Sequence, residues 1–168
     1  MQNIIRPLIR YGTWAGNMPP QFVICAVLLF IDFPTGYKVG SVWFYGYLIN
    51  LVIKNTYRKE RPPKSEWKVA HVNGFSFPSG HSMTSLILYW SIAKYFAVPF
   101  PWVGVLYTLP FLLGLSRLYL RVHFPIDVIG GWTIAILYIF FFGESVLAWN
   151  MQFYDLFYNL AHLGVQAH

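Results

Sequence analysis

The sequence predicts an all-α integral-membrane bundle of about five transmembrane helices plus one N-terminal interfacial amphipathic helix, and three observations carry that expectation. Hydrophobic residues make up 57% of the chain, aromatic residues 20% and charged residues only 11%, against about 25% charged in an ordinary soluble domain. The mean hydropathy is +0.48. Turn-forming or polar stretches at 19–20, 33–36, 58–73, 99–101 and 123–125 divide the chain into apolar runs, each close to the ~20 residues that a spanning helix needs. At 168 residues the chain is read as one domain, 1–168, so any activity has to be built between the helices themselves.

Taken in order, the first segment is 4–11, where apolar residues recur at three- and four-residue steps while Arg6 and Arg10 share the opposite face. That pattern fits a helix lying along the headgroups. A signal peptide is the competing reading, but it needs an apolar core of about 7 to 15 residues and a small-residue cleavage site, and neither follows Arg10. The five expected spans are 21–33, 39–57, 83–97, 102–119 and 126–147; the first and third are short and need flanking residues or local thinning to cross. The segment 151–165, apolar and aromatic on most faces, suits a second interface-lying or bundle-packed helix. A lone Cys25 allows no internal disulfide and no cysteine metal site, and is read as a small buried apolar residue.

Charge is concentrated. The net charge is +6, and eight of the twelve Lys and Arg residues (Lys54, Arg58, Lys59, Arg61, Lys64, Lys68, Arg117 and Arg121) lie in or beside the loops after the second and fourth spans. Those loops emerge on one side of a five-span bundle and form a positive rim that attracts anions. The positive-inside rule for cytoplasmic loops explains the same charges equally well. Nucleic-acid binding, which a pI of 9.5 would otherwise suggest, is disfavoured because the basic residues border apolar spans and form no soluble face.

Spacing then singles out residues. Lys54 and Arg61 are seven apart, so a helix continuing through both would point them at one site, with Pro62 stopping it afterwards. Two snorkelling helix-end cations are the plainer alternative. Pro78-Ser79-Gly80-His81 stands just before the third apolar run. There Ser79 can cap a helix, Gly80 lets an anion approach the backbone, and His81 sits in the first turn; an ordinary cap followed by an interfacial histidine is the alternative. His123 is followed four residues later by Asp127, a carboxylate at a membrane edge that needs a partner. Asp127 can hold the imidazole in one tautomer and leave its other nitrogen free to attack phosphorus, although a purely structural His–Asp hydrogen bond uses the same residues.

Joined in order these pieces read Lys-x6-Arg-Pro, Pro-Ser-Gly-His and Ser-Arg-x5-His-x3-Asp, separated by 15 and 34 residues. The pattern resembles the type 2 phosphatidic acid phosphatase family of integral-membrane lipid phosphatases, whose site is shared by vanadium haloperoxidases and glucose-6-phosphatase. The resemblance covers about 54–127. It implies that His123 is the nucleophile forming a phosphohistidine, that Asp127 orients it, and that His81 protonates the leaving oxygen. It further implies that Lys54, Arg61, Ser79, Gly80 and Arg117 bind the phosphoryl oxygens, with no metal or other cofactor; Ser116 is expected to position its helix end. The implied substrate is a phosphorylated membrane lipid: lipid A 1-phosphate, phosphatidylglycerol phosphate, undecaprenyl diphosphate or phosphatidic acid. The further cations Arg58, Lys59, Lys64, Lys68 and Arg121 suggest a headgroup with more than one negative charge.

Two features depart from the family pattern: five expected spans against the usual six, and a positive-inside count that opposes the periplasmic placement expected for bacterial inner-membrane relatives. An idle lipid-binding or lipid-transporting protein with a retained anion site is the alternative of a different class. The intact His81, His123 and Asp127 speak against it. A haloperoxidase-like vanadate enzyme is disfavoured because those proteins are soluble and far larger.

Overall fold

The computed structural model describes residues 16–69 and 72–165, with side chains as far as 156; the expected interfacial helix at 4–11 lies outside the described residues. Among these residues the architecture is all-α: α1 Met18–Ile31, α2 Phe33–Tyr57, α3 Gly80–Tyr95, α4 Trp102–Tyr119, α5 Pro125–Phe141 and α6 Gly143–Val165.

Helix α3 is the centre of the bundle, packed against α2, α4 and α5 and buried without interruption from Ser82 to Tyr89. A helix buried on all faces has to satisfy its own polar groups, and here the hydroxyls of Thr84, Ser85 and Ser91 donate back to the carbonyls of Gly80, His81 and Ile87. The core around it joins Val39, Val42 and Trp43 of α2 to Ala135 and Tyr138 of α5. Tyr138 donates to the Val42 carbonyl at 2.7 Å and Trp43 to Gln21 at 2.7 Å, so these two buried polar tips find partners. Cys25 is buried and unpaired, as expected. Outward faces are apolar: Phe22 and Val27 on α1, Phe44 and Val52 on α2, Leu112 and Leu115 on α4, and Ile136 and Phe140 on α5 are all exposed. A soluble surface rarely carries so much contiguous apolar area, whereas a bilayer-facing one does.

Three boundaries differ from expectation. The break expected at 33–36 narrows to Asp32 alone, because Pro34 is accommodated in the first turn of α2, where a missing N–H costs nothing. The last expected span, 126–147, is interrupted at Phe142, and α5 and α6 are bent by 56° there. Segment 151–165 belongs to α6, which packs on α2 and α5. By length and composition Trp102–Tyr119 can cross a membrane alone, the bent α5–α6 pair passes that test jointly, and α1 is a shorter apolar helix.

The alternating directions of the helices bring the α2 and α4 C-termini and the α1, α3 and α5 N-termini to one end. The described parts of the connection, 58–69 and 72–79, fold over that end and are pinned to it. Lys68 N–H donates to Leu120 O at 3.1 Å, Ser76 N–H to Lys59 O at 2.7 Å and Ser79 N–H to Asp127 O at 2.9 Å.

Candidate active site

A cavity of about 720 Å³ opens at this end. Lys54, Arg61, Gly80, His81, Arg117 and His123 line it, together with the apolar Met18, Tyr47 and Leu51. Six of the eight residues predicted from the sequence therefore share one cavity. The other two, Ser79 and Asp127, are fully buried behind it.

Arg61 does not arrive as the seven-residue spacing suggested. Helix α2 stops at Tyr57, where Arg58 takes a left-handed conformation (φ 48°) and its N–H returns to Lys54 O. The chain leaves the helix four residues before Arg61, so the shared-face argument fails and Pro62 is not the terminator. Arg61 reaches the site from the following loop, held by carbonyls: Nε donates to Gly74 at 2.8 Å, Nη2 to Asn73 at 3.0 Å and Nη1 to Val122 at 2.9 Å. Nη1 also lies 3.0 Å from Nε2 of His123. Burial lowers the Arg61 guanidinium to about 10, with Asp127 opposing, so it stays charged at neutral pH.

Lys54 stands at the α2 end, its ammonium donating to Phe75 O at 2.9 Å and Pro78 O at 2.7 Å. It thus fixes the turn that starts α3 while facing the cavity. Arg117, in the last turn of α4, is 6% exposed, and its Nε has no hydrogen-bond partner among the described residues. A buried guanidinium N–H left in this way is costly unless an anion completes it.

The α3 N-terminus is built by its sequence. Ser79 caps the helix, its hydroxyl accepting from Ser82 N–H at 3.4 Å. Gly80 begins the helix and lines the cavity. A Cβ at Gly80 would be 3.5 Å from Met18 Cε and 3.6 Å from Asn50 Oδ1, ordinary contacts, so packing does not demand glycine there. Its absent side chain leaves the positive end of the helix open to the cavity. Ser116 donates to Leu113 O at 2.5 Å within its own helix.

His123 lies just before α5 and is 5% exposed. Burial lowers its imidazole to about 4; Arg61, Lys54 and Arg117 push the same way and Asp127 opposes them. It is neutral at physiological pH. Asp127, in the first turn of α5, is not in direct hydrogen bond with it: Nδ1 to Oδ2 is 3.7 Å. Instead Asp127 accepts from Lys59 at 2.6 Å, Ser76 Oγ at 2.5 Å and Phe124 N–H at 2.8 Å.

Ser76 and Lys59 were not recognised as site residues from the sequence. Ser76 sits two positions before the Pro-Ser-Gly-His turn with nothing local to distinguish it, and Lys59 was grouped with the rim cations. Most of that rim is used internally. Arg121 pairs with Glu66 at 3.5 Å, Lys68 lies 4.0 Å over the Tyr119 ring, and Arg58 Nε donates to Asn55 O at 2.8 Å.

Comparison with known proteins places these features in context. The model of the PAP2 superfamily matches residues 36–151. The chain is 35% identical over 101 residues to phosphatidylglycerophosphatase B of Bacillus subtilis, covering 55% of this chain and 49% of that protein. It is 36% identical over 95 residues to decaprenylphosphoryl-5-phosphoribose phosphatase of Mycolicibacterium smegmatis, covering 55% and 50%. The chain thus spans about half the length of these curated relatives. Among solved structures, a transmembrane PAP2-type phosphatidylglycerolphosphate phosphatase from Bacillus subtilis superposes with a TM-score of 0.68 at 27% identity, covering 90% of this chain and 79% of that one. Aquifex aeolicus LpxE gives a TM-score of 0.72 at 19% identity, with 86% of each chain covered, and shares the fold.

Proposed function

The chain belongs to the PAP2 superfamily, and from that premise we propose that it is an integral-membrane lipid phosphatase that works through a phosphohistidine on His123, without a metal. The observation that carries the reading is the convergence of Lys54, Arg61, Arg117, Gly80, His81 and His123 on one cavity that Met18, Tyr47 and Leu51 also line. A phosphorylated headgroup fits the cationic side while its chains lie against Met18, Tyr47 and Leu51.

In this mechanism the phosphoryl oxygens are held by Lys54, Arg61, Arg117 and the α3 N-terminus, which Ser79 shapes as a cap. Fixed positive charge and alignment do most of the work in phosphoryl transfer. Nε2 of His123 forms the P–N bond as the P–O bond to the lipid breaks, and His81 supplies a proton to the leaving oxygen. Water then attacks the phosphohistidine, giving up its proton to His81; inorganic phosphate leaves and neutral His123 is restored. A neutral, buried His123 among three cations is suited to attack because it needs no deprotonation first.

The candidate substrates are lipid A 1-phosphate, phosphatidylglycerol phosphate, undecaprenyl diphosphate and phosphatidic acid, which share the group that the cavity binds. The helices are read as about five crossings of a bacterial inner membrane, with the site on the periplasmic face: the cations there are employed in binding and bracing, which removes the topogenic reason to place them inside. Labelling of single cysteines placed between 58 and 69 in intact cells supports this orientation, and labelling only after inner-membrane permeabilisation contradicts it.

The test is phosphate release from the four lipids in detergent with EDTA present, for wild type and His123→Ala. Wild type is expected to release phosphate from at least one lipid and to be inhibited by vanadate, with near-complete loss in the variant. Equal release by both proteins overturns the nucleophile assignment. No release from any lipid by wild type favours an idle lipid-binding protein.

A further inference from the structure

Nδ1 of His123 and Oδ2 of Asp127, four residues apart in sequence, stand 3.7 Å apart, beyond hydrogen-bond length, and a third side chain reaches both. Ser76 Oγ lies 3.3 Å from His123 Nδ1 and 2.5 Å from Asp127 Oδ2. Ser76 is fully buried, and its backbone is fixed by the bond from its N–H to Lys59 O. The hydroxyl therefore has little freedom to point elsewhere.

The direction of every hydrogen bond in this group follows from what each partner can do. A guanidinium only donates, so the 3.0 Å contact from Arg61 Nη1 makes His123 Nε2 an acceptor. A neutral imidazole then carries its proton on Nδ1. Asp127, already taking hydrogen bonds from the Lys59 ammonium and Phe124 N–H, is an acceptor too. The one proton of Ser76 goes to Asp127, and its oxygen accepts from Nδ1–H. Each group is used in the only sense open to it.

We propose that Ser76 is a positioning residue whose hydroxyl couples His123 to Asp127. It fixes the proton on Nδ1 and carries the stabilisation of the carboxylate to the imidazolium that forms when Nε2 bonds to phosphorus. No proton leaves the chain of hydrogen bonds in that step: Nδ1–H remains on the ring, and the hydroxyl proton remains on Ser76 toward Asp127. The proposal rests on His123 being the nucleophile.

The groups facing His123 are Lys54 from α2, Lys59 and Arg61 from the following loop, His81 from α3, Arg117 from α4 and Asp127 from α5. Removing the hydroxyl leaves the cations and the Asp127 charge in place but breaks the hydrogen-bonded link between imidazole and carboxylate. The imidazolium is then less stable, both in the free enzyme and in the transition state.

The experiment compares wild type, Ser76→Ala, Ser76→Cys and His123→Ala on the best-hydrolysed lipid of the four-lipid panel, as kcat, KM and the pH profile of kcat/KM. The Ala variant is expected to lose kcat by about 10- to 100-fold, the range of a hydrogen bond to a charged group. Its KM should stay within about twofold, and its acid limb should move to lower pH. The Cys variant, matched in shape and a weaker donor, is expected to fall between; if the Ala variant does not fold, the Cys comparison carries the test. A substituted protein with wild-type kcat and an unmoved acid limb, or a limb moved to higher pH because His123 and Asp127 close onto each other, overturns the proposal while leaving the nucleophile intact. Equal activity of His123→Ala and wild type overturns the nucleophile reading, and the proposal with it.

Discussion

Nη1 of Arg61 lies 3.0 Å from Nε2 of His123 and so occupies the lone pair that the proposed attack at phosphorus would use. A phosphoryl oxygen is a better partner for a guanidinium than an imidazole nitrogen, so in the proposed mechanism an arriving substrate would draw Arg61 off His123 and free its Nε2 in the same movement. The bonds to Asn73, Gly74 and Val122 limit how far the arginine can travel.

Arg61→Lys tests this exchange. A lysine carries the charge but cannot bridge three carbonyls and the histidine, so kcat/KM is expected to fall about 10- to 100-fold with the protein still folded. Steady-state kinetics in detergent and vanadate inhibition measure it; a loss below threefold contradicts the role.

The lowered His123 predicts the pH dependence. Because its folded value is about 4 and its ordinary value about 6.5, the acid limb of kcat/KM is expected well below the ordinary histidine range. For stability, the unfolded chain binds the proton between those values while the folded chain does not. Stability therefore falls as pH drops through that window, by at most about 1.4 kcal/mol per pH unit from this group. His123→Gln is expected to flatten the slope in detergent melts; an unchanged slope contradicts the burial argument.

How much of this was legible in the sequence differs between residues. Most helices were readable from their apolar runs, but the break at Phe142 was not, because it falls inside the apolar run 126–147; the two histidines and three cations stood out as costly residues at membrane edges. The path to Arg61 was not readable, since a helix end set by a left-handed Arg58 leaves no proline or glycine mark. Ser76 and Lys59 were hidden for another reason: their importance comes from contact with Asp127, 51 and 68 positions away, and long-range partners carry no local signature.

Lys59→Met leaves the buried Asp127 without its ammonium. Because Lys59 is itself 26% exposed, the expected cost is about 1 to 3 kcal/mol, below that of breaking a fully buried pair. Arg121→Ala, whose partner Glu66 is exposed, is expected to cost less than about 0.5 kcal/mol. Melting temperatures in one detergent rank the two; equal shifts contradict the distinction.

Two glycines are predicted to separate packing from binding. A Cβ at Gly131 would lie 2.8 Å from Ser79 O and 2.9 Å from Ser82 Cβ, so Gly131→Ala pushes α5 off α3 and is expected to cost about 1 to 3 kcal/mol. Gly80→Ala meets only ordinary contacts and is expected to fold normally while raising KM, because the methyl intrudes where phosphate approaches the backbone. Melting curves and kinetics on both variants check it; a destabilised, fully active Gly80→Ala contradicts it.

A phosphohistidine on His123 can be captured by rapid acid-free quenching of wild type during turnover of a lipid labelled in its phosphoryl group, followed by peptide mapping under alkaline conditions. The expected result is acid-labile, alkali-stable label on His123, absent in His123→Ala and accumulating in His81→Asn when the substrate's leaving group needs no proton. Label on another residue, or turnover with no labelled protein at any quench time, contradicts it.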